Sequence, residues 1–330
     1  MPLVIRITLL RQLTRVDLAR FGPMLAEALV TRSQQVSIRR GFVVRRTAAA
    51  DEAVALYRRL VQGRSGRHEV GLARALVAQG SVPDDRTVAS ALDQGWEAIG
   101  YVENATDRDG LVVLAAAHLM MANLLSPSAP QDALPLAEQA RATWLRCAPL
   151  GVRELTGLAR SLTVLGSCQA ALDAPVEALA AREEAVETFR RLSAWARLRY
   201  MPARFDAVTG LAESLASDGR WAETLTLTAD PREDLTFWAR WEPLRARPAL
   251  GRLLFVIATC RLELGEPEAA VTTAEEAVGH FRWLAEHDPV RYDHRLVAAL
   301  RTLAGILKAS AGTRRQPGQP VRPGRSSVAE

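Results

Sequence analysis

Few residues in this chain have the type and spacing that chemistry needs. His280, His287 and His294 recur every seven residues. Helical metal ligands prefer i and i+4, and these three fall across a helix end and a loop, so no metal site is expected. Asp84-Asp85-Arg86 begins like a divalent-cation motif, but Thr87-Val88 follows in place of a third acid and no second such motif appears downstream. The aspartate pair reads instead as the N-terminal cap of a helix. Cys147, Cys168 and Cys260 are far apart and odd in number, which fits small core hydrophobes rather than a disulfide framework or a zinc site. The chain has no Walker-type glycine loop, no HExxH, no CxxC and no GxSxG. No catalytic residue and no cofactor is assigned, and the chain is expected not to be an enzyme.

Binding is a better use of its side chains. Arg74, His118, Arg160, Asp206, Arg252 and Arg301 recur at polar positions in one class of helix. Four are arginines, which hold carboxylates through paired hydrogen bonds, so the expected ligand is an acidic segment or a chain terminus. Trp238 and Trp241 belong to a second group, because four of the seven tryptophans fall between Trp195 and Trp241. Clustered aromatics of this kind form contact hot spots or fill irregular packing.

The elements that would position these residues are helices. Ala and Leu dominate and aromatics are 5% of the chain, which favours helix over strand. A repeat then sets their order. Asp51-Glu52-Ala53-Val54-Ala55-Leu56-Tyr57-Arg58-Arg59-Leu60 recurs as Glu183 to Leu192 (EEAVETFRRL) and Glu275 to Leu284 (EEAVGHFRWL). A second pattern precedes these, and anchoring on its last residue gives Leu29, Leu76, Ala117, Leu162, Val208, Leu254 and Leu300, with steps of 47, 41, 45, 46, 46 and 46. Seven first helices and six second helices are therefore expected. Each first helix carries apolar residues at i, i+4 and i+7, as at Leu158, Leu162 and Leu165, which is a single helical stripe. Small residues follow (Gly166, Ala212, Ala258, Ala304) and let two antiparallel helices approach closely. Turns such as Asp173-Ala174-Pro175 and Gly265-Glu266-Pro267 place proline in the first turn of the second helix, where its missing N–H costs nothing.

This arrangement resembles the tetratricopeptide repeat in an elongated form of about 45 residues rather than 34. It is similar to the arrays of large actinobacterial signalling and regulatory proteins, in which "EAV..YRRL" recurs. The resemblance covers roughly residues 3–309, although the usual aromatic positions are often Leu, Thr or Gln here. It implies an all-α, right-handed α-solenoid of antiparallel helix pairs. The first helices of such an array line a concave surface that holds a protein or peptide, so the expected function is a protein–protein interaction scaffold or a sensor module.

Three places depart from the pattern. Alignment by 46 puts Pro231 in the middle of a second helix, where it removes a hydrogen bond and clashes with the preceding turn. This predicts a break between about 228 and 233, capped by Asp230, with Trp238 or Trp241 packing on the adjacent repeat. At the N-terminus, counting back twelve residues from Leu25 reaches Leu13, so residues 3–15 read as a second helix without its partner. Leu3, Val4, Ile7 and Leu10 should then face inward while Ile5 and Leu9 stay open as a site of association with upstream sequence or a second copy; in the alternative the helix is itself a cap and all its apolar residues turn inward. At the C-terminus, residues 310–330 (SAGTRRQPGQPVRPGRSSVAE) have almost nothing to bury and are expected to form a disordered basic tail after the 1–309 array.

Charge is distributed unevenly. Residues 1–70 hold 13 Arg against 5 acids and 308–330 hold 5 basic residues against Glu330, which leaves the middle at −7 within a total of +5. Basic ends offer an alternative reading, a nucleic-acid-associated regulator. Pro2 to Leu10 is interrupted by Arg6 and followed by Arg11 with no cleavage site, so it is no credible signal peptide, and no run approaches a membrane span. The expected compartment is the cytoplasm.

Overall fold

The computed structural model describes residues 3–33, 36–39, 42–45, 47–63, 68–81, 87–192 and 200–314. The chain divides into two compact units at Asp173/Ala174. The first holds α1 (Leu3–Val16), α2 (Leu18–Ser33), strands β1 (Val36–Arg39) and β2 (Phe42–Arg45), α3 (Thr47–Gly63), α4 (Glu69–Gly80), α5 (Val88–Val102), α6 (Arg108–Leu125), α7 (Pro130–Arg146) and α8 (Val152–Ala171). The second holds α9 (Pro175–Arg190), α10 (Met201–Ser217), α11 (Trp221–Trp241), α12 (Pro243–Glu263), α13 (Pro267–His287) and α14 (Pro289–Arg314). Within each unit every helix packs on the next, and the even-numbered helices also pack on one another: α2 on α4, α4 on α6, α6 on α8, and in the second unit α10 on α12 and α12 on α14.

The seven anchors fall one on each even-numbered helix. Leu29, Leu76, Ala117, Leu162 and Leu254 are fully buried and Val208 nearly so, whereas Leu300 on α14 is 44% exposed. The odd-numbered helices carry the EEAV motif. Ala53 and Val54, Ala185 and Val186, and Ala277 and Val278 are all buried, while Glu183, Glu184, Glu275 and Glu276 of the same helices face water. Several aromatics on the odd-numbered helices need a glycine opposite. Any Cβ on Gly71 of α4 or Gly157 of α8 would collide with the rings of Tyr57 and Trp144. Turns repeat as well: among the described residues Asp173, Gly219 and Gly265 are the positive-φ positions, at 61°, 76° and 83°. After α10 and α12 the backbone N–H groups of Arg220 and Glu266 reach back to the carbonyls of Leu215 and Arg261 at 2.9 and 2.8 Å, a Schellman closure that requires the glycine between them.

Four sequence expectations need correction or placing. First, α11 is one continuous helix of 21 residues with Pro231 inside it, not two helices meeting near 228–233. Its buried residues Thr224, Thr228, Leu235 and Ala239 lie on one stripe that keeps its phase across the proline. The lost hydrogen bond of the Leu227 carbonyl and the clash of the proline ring with it cost roughly 3 kcal/mol or more, and burying this whole stripe offsets them. Second, the chain is all-α apart from an antiparallel hairpin, Val36 pairing with Arg45 and Arg39 with Phe42. Two short Val/Ile-rich runs between α2 and α3 pair with each other rather than extending a helix. Third, α14 continues to Arg314, past the expected boundary at 309, because Ile306 and Ser310 are buried on the inward face of this helix. Fourth, Thr87 caps α5, its hydroxyl accepting from the Ser90 N–H at 3.2 Å, whereas Asp84 and Asp85 lie outside the described residues. Trp195 and residues 315–330 lie outside them too.

Helix α1 follows the expectation closely. Ile7 and Leu10 are buried and Leu3 is half-buried, while Ile5 and Leu9 are open; Val4, expected inside, is also open. Among the described residues only α6 is long and apolar enough to cross a membrane, and most of it is buried against other helices.

Candidate partner-binding surface

The even-numbered helices carry six of the eight residues proposed to contact a partner. In the first unit Arg74 stands on α4 between two acids, Glu27 of α2 and Asp109 of α6, each 4.0 Å from its guanidinium. His118 of α6 is buried, its Nδ1 has no partner among the described residues, and burial holds its pKa below the usual histidine value. It is therefore a neutral core imidazole at pH 7, with little of itself offered to solvent. Arg160 is exposed on α8.

In the second unit the structure brings two predicted residues together. Arg252 of α12 donates from Nη1 to Asp206 of α10 at 3.3 Å and from Nη2 to Glu213 of α10 at 2.9 Å. Burial pulls the Arg252 pKa down, but Glu213 and Asp206 together outweigh it and hold the guanidinium firmly charged. Arg182, buried on α9, shares Glu213 at 3.8 Å and donates to the Ser214 hydroxyl at 2.6 Å. Burial lowers the Arg182 pKa, and the neighbouring Arg252 lowers it further against the pull of Glu213. Asp206, Arg252, Glu213 and Arg182 thus form one network tying α9, α10 and α12. Arg301 is exposed on α14, apart from this network.

The two tryptophans separate. Trp238 packs against the cluster built by Met201, Phe205, Leu235 and Leu250, edge-on to Phe237 at 5.4 Å. Trp241 is 71% exposed and Phe237, one turn before it, is 56% exposed.

Of the acids that answer these arginines, sequence reasoning singled out Asp206 alone. On the even-numbered row Arg108 donates to Glu154, 46 positions on, at 3.1 Å, as Arg252 does to Asp206, 46 positions back. On the odd-numbered row the arginine of the YRRL-type ending reaches the next odd helix. Arg11 of α1 grips Glu52 of α3 bidentately, Nε donating to Oε1 at 2.9 Å and Nη2 to Oε2, and Arg58 of α3 reaches Glu97 of α5 at 2.8 Å. The signal was available: an acid about one repeat from each arginine.

Between odd-numbered helices the packing leaves clefts. One of about 310 Å³ in the second unit is floored by Phe189, Leu227 and Pro231 and rimmed by Arg190, Arg204 and Asp230. Another of about 340 Å³ lies between α1, α2 and α3. Among the described residues no three His, Cys, Asp or Glu side chains come together in a way that could hold a metal ion. The three cysteines are buried, and burial pushes each thiol pKa up, away from reactivity.

No protein-family model matches this chain, and no curated protein does. Among solved structures it is similar to the crystal structure of BtubC (BKLC) from P. vanneervenii, at 15% identity and a TM-score of 0.37, over 86% of this chain and 97% of that one.

Proposed function

We propose that this chain is a tetratricopeptide-like, right-handed α-solenoid with a period of about 45 residues, and that it works as a cytoplasmic scaffold or regulatory module that holds a protein or peptide partner. The period rests on the even spacing of the positive-φ turns Asp173, Gly219 and Gly265 and of the helix starts Pro175, Trp221 and Pro267, all 46 residues apart. The observation that carries the functional reading is the row of even-numbered helices, which stack on one another in each unit and present a polar face of regularly placed charges. Such a row is a surface for an extended chain rather than a pocket for a small molecule. No catalytic role is assigned to any residue.

The internal ion pairs refine which residues act. Asp206, Arg252 and Arg74 are engaged with neighbouring helices. Their work is to align the row, and we assign Arg160 and Arg301, both exposed on it, to the contact with an acidic partner. The test is affinity capture with the wild type and an Arg160→Glu, Arg301→Glu variant. Loss of the captured protein with unchanged melting supports the reading; equal capture moves the contact elsewhere. A steep fall in affinity with salt, together with recovery of nucleic acid, would favour the nucleic-acid alternative instead.

A further inference from the structure

The positive charge of the N-terminal end has a structural focus. The cleft between α1, α2 and α3 is walled by Arg11 and Arg15 of α1 and by Glu52 and Arg59 of α3, with Leu25 and Leu56 beneath. Three guanidiniums therefore face a single carboxylate. Arg11 is already committed to Glu52 through two parallel hydrogen bonds. Arg15 makes only a 3.2 Å hydrogen bond to the neutral Gln12 amide, and Arg59 has no partner among the described residues. Both are exposed at the rim, whereas Leu25 and Leu56 are 4% and 7% exposed and form an apolar floor.

We infer that this cleft is a docking site for an acidic peptide segment of a partner protein, separate from the even-numbered row. Two uncommitted guanidiniums above an aliphatic floor suit side chains that end in a carboxylate and begin in methylenes. The cleft already contains one such contact, since Glu52 lies against Arg11 in the geometry an incoming carboxylate would adopt on Arg15 or Arg59. A volume of about 340 Å³ admits a few side chains of an extended peptide. Nucleic acid fits less well: no lining residue is aromatic, so bases have nothing to stack on. The site stands apart from the reading of the even-numbered row, because neither Arg15 nor Arg59 belongs to that row.

The experiment uses the full chain and fluorescein-labelled hexaglutamate, with equally labelled hexaglutamine and a six-nucleotide oligothymidylate as comparisons, read by fluorescence anisotropy. The expected result is saturable binding of hexaglutamate, weakened by added salt, absent for hexaglutamine, and at least tenfold weaker in an Arg15→Glu, Arg59→Glu variant. Both substitutions are at exposed positions, and circular dichroism melting confirms that the variant is folded. An Arg146→Glu, Arg240→Glu variant, which changes net charge equally at exposed positions outside this cleft and outside the residues assigned to the row, should bind hexaglutamate as the wild type does, which separates this site from an effect of overall charge. Three outcomes would overturn the inference: no saturable binding of hexaglutamate, equal binding by the Arg15→Glu, Arg59→Glu variant, or tighter binding of the oligothymidylate at the same arginines, which would make the ligand a phosphate.

Discussion

The clefts of the two units lie at corresponding places between consecutive odd-numbered helices, yet they are built differently. In the first unit Glu52 of α3 is clasped by Arg11 of α1, and α3 is a regular helix. In the second unit the matching acid is Asp230 of α11, followed at once by Pro231. Beyond that point Arg204 bonds Asp234 at 2.9 Å and Arg232 bonds Glu276 at 3.0 Å. One cleft is closed at its edge by an ion pair; the other is floored by a proline ring and held by the apolar face behind it. The lesson is that helix order in this fold comes from the buried stripe, and that exposed charges and local propensity adjust the surface around it.

Three measurements can break or sharpen that contrast. The largest effect is expected at Leu235, which is fully buried on the stripe just after the proline. Leu235→Ala should lower stability by about 2–5 kcal/mol, read as a shift in the urea unfolding midpoint. A loss under about 1 kcal/mol would mean that the stripe does not hold α11 through Pro231. Next comes Pro231→Ala, which restores the missing N–H and removes the ring from the Leu227 carbonyl. Stability should rise by about 1–3 kcal/mol in the same assay, and a fall would show that the proline ring contributes packing worth more than the hydrogen bond it removes. The smallest effect belongs to the clasp. Arg11 and Glu52 are 47% and 38% exposed, so Glu52→Gln should cost no more than about 1 kcal/mol, and less still as salt is raised. A cost that persists at high salt would show that the pair does more than solvated charges can.

Much of the fold was legible in the sequence, because what repeats is local. The phase of Leu158, Leu162 and Leu165, the small residues after each anchor, and the turns at Gly219 and Gly265 each depend on residues within a few turns of one another. The hairpin at Val36–Arg45 was missed because its strands are only four residues each and lie between strong helices. The surface was less legible. Arg252 looks the same in sequence whether it waits for a partner or bonds Asp206, since the distinction depends on which helix lies beside α12. His118 occupies a polar position by alignment, yet in the folded chain it is buried with its pKa depressed.

By itself, then, the sequence determined that this chain is built of helices that pack each on the next, which face of each helix turns inward, and where the turns need glycine. Those properties follow from hydrophobic period and backbone sterics, which act along the chain. Tertiary structure alone decided that α11 runs unbroken through Pro231, that Arg11 meets Glu52 and Arg252 meets Asp206, and that Arg15 and Arg59 remain uncommitted at the rim of a cleft. Those outcomes depend on neighbours some 30 to 46 positions away, and on burial that outweighs the preference of any single residue.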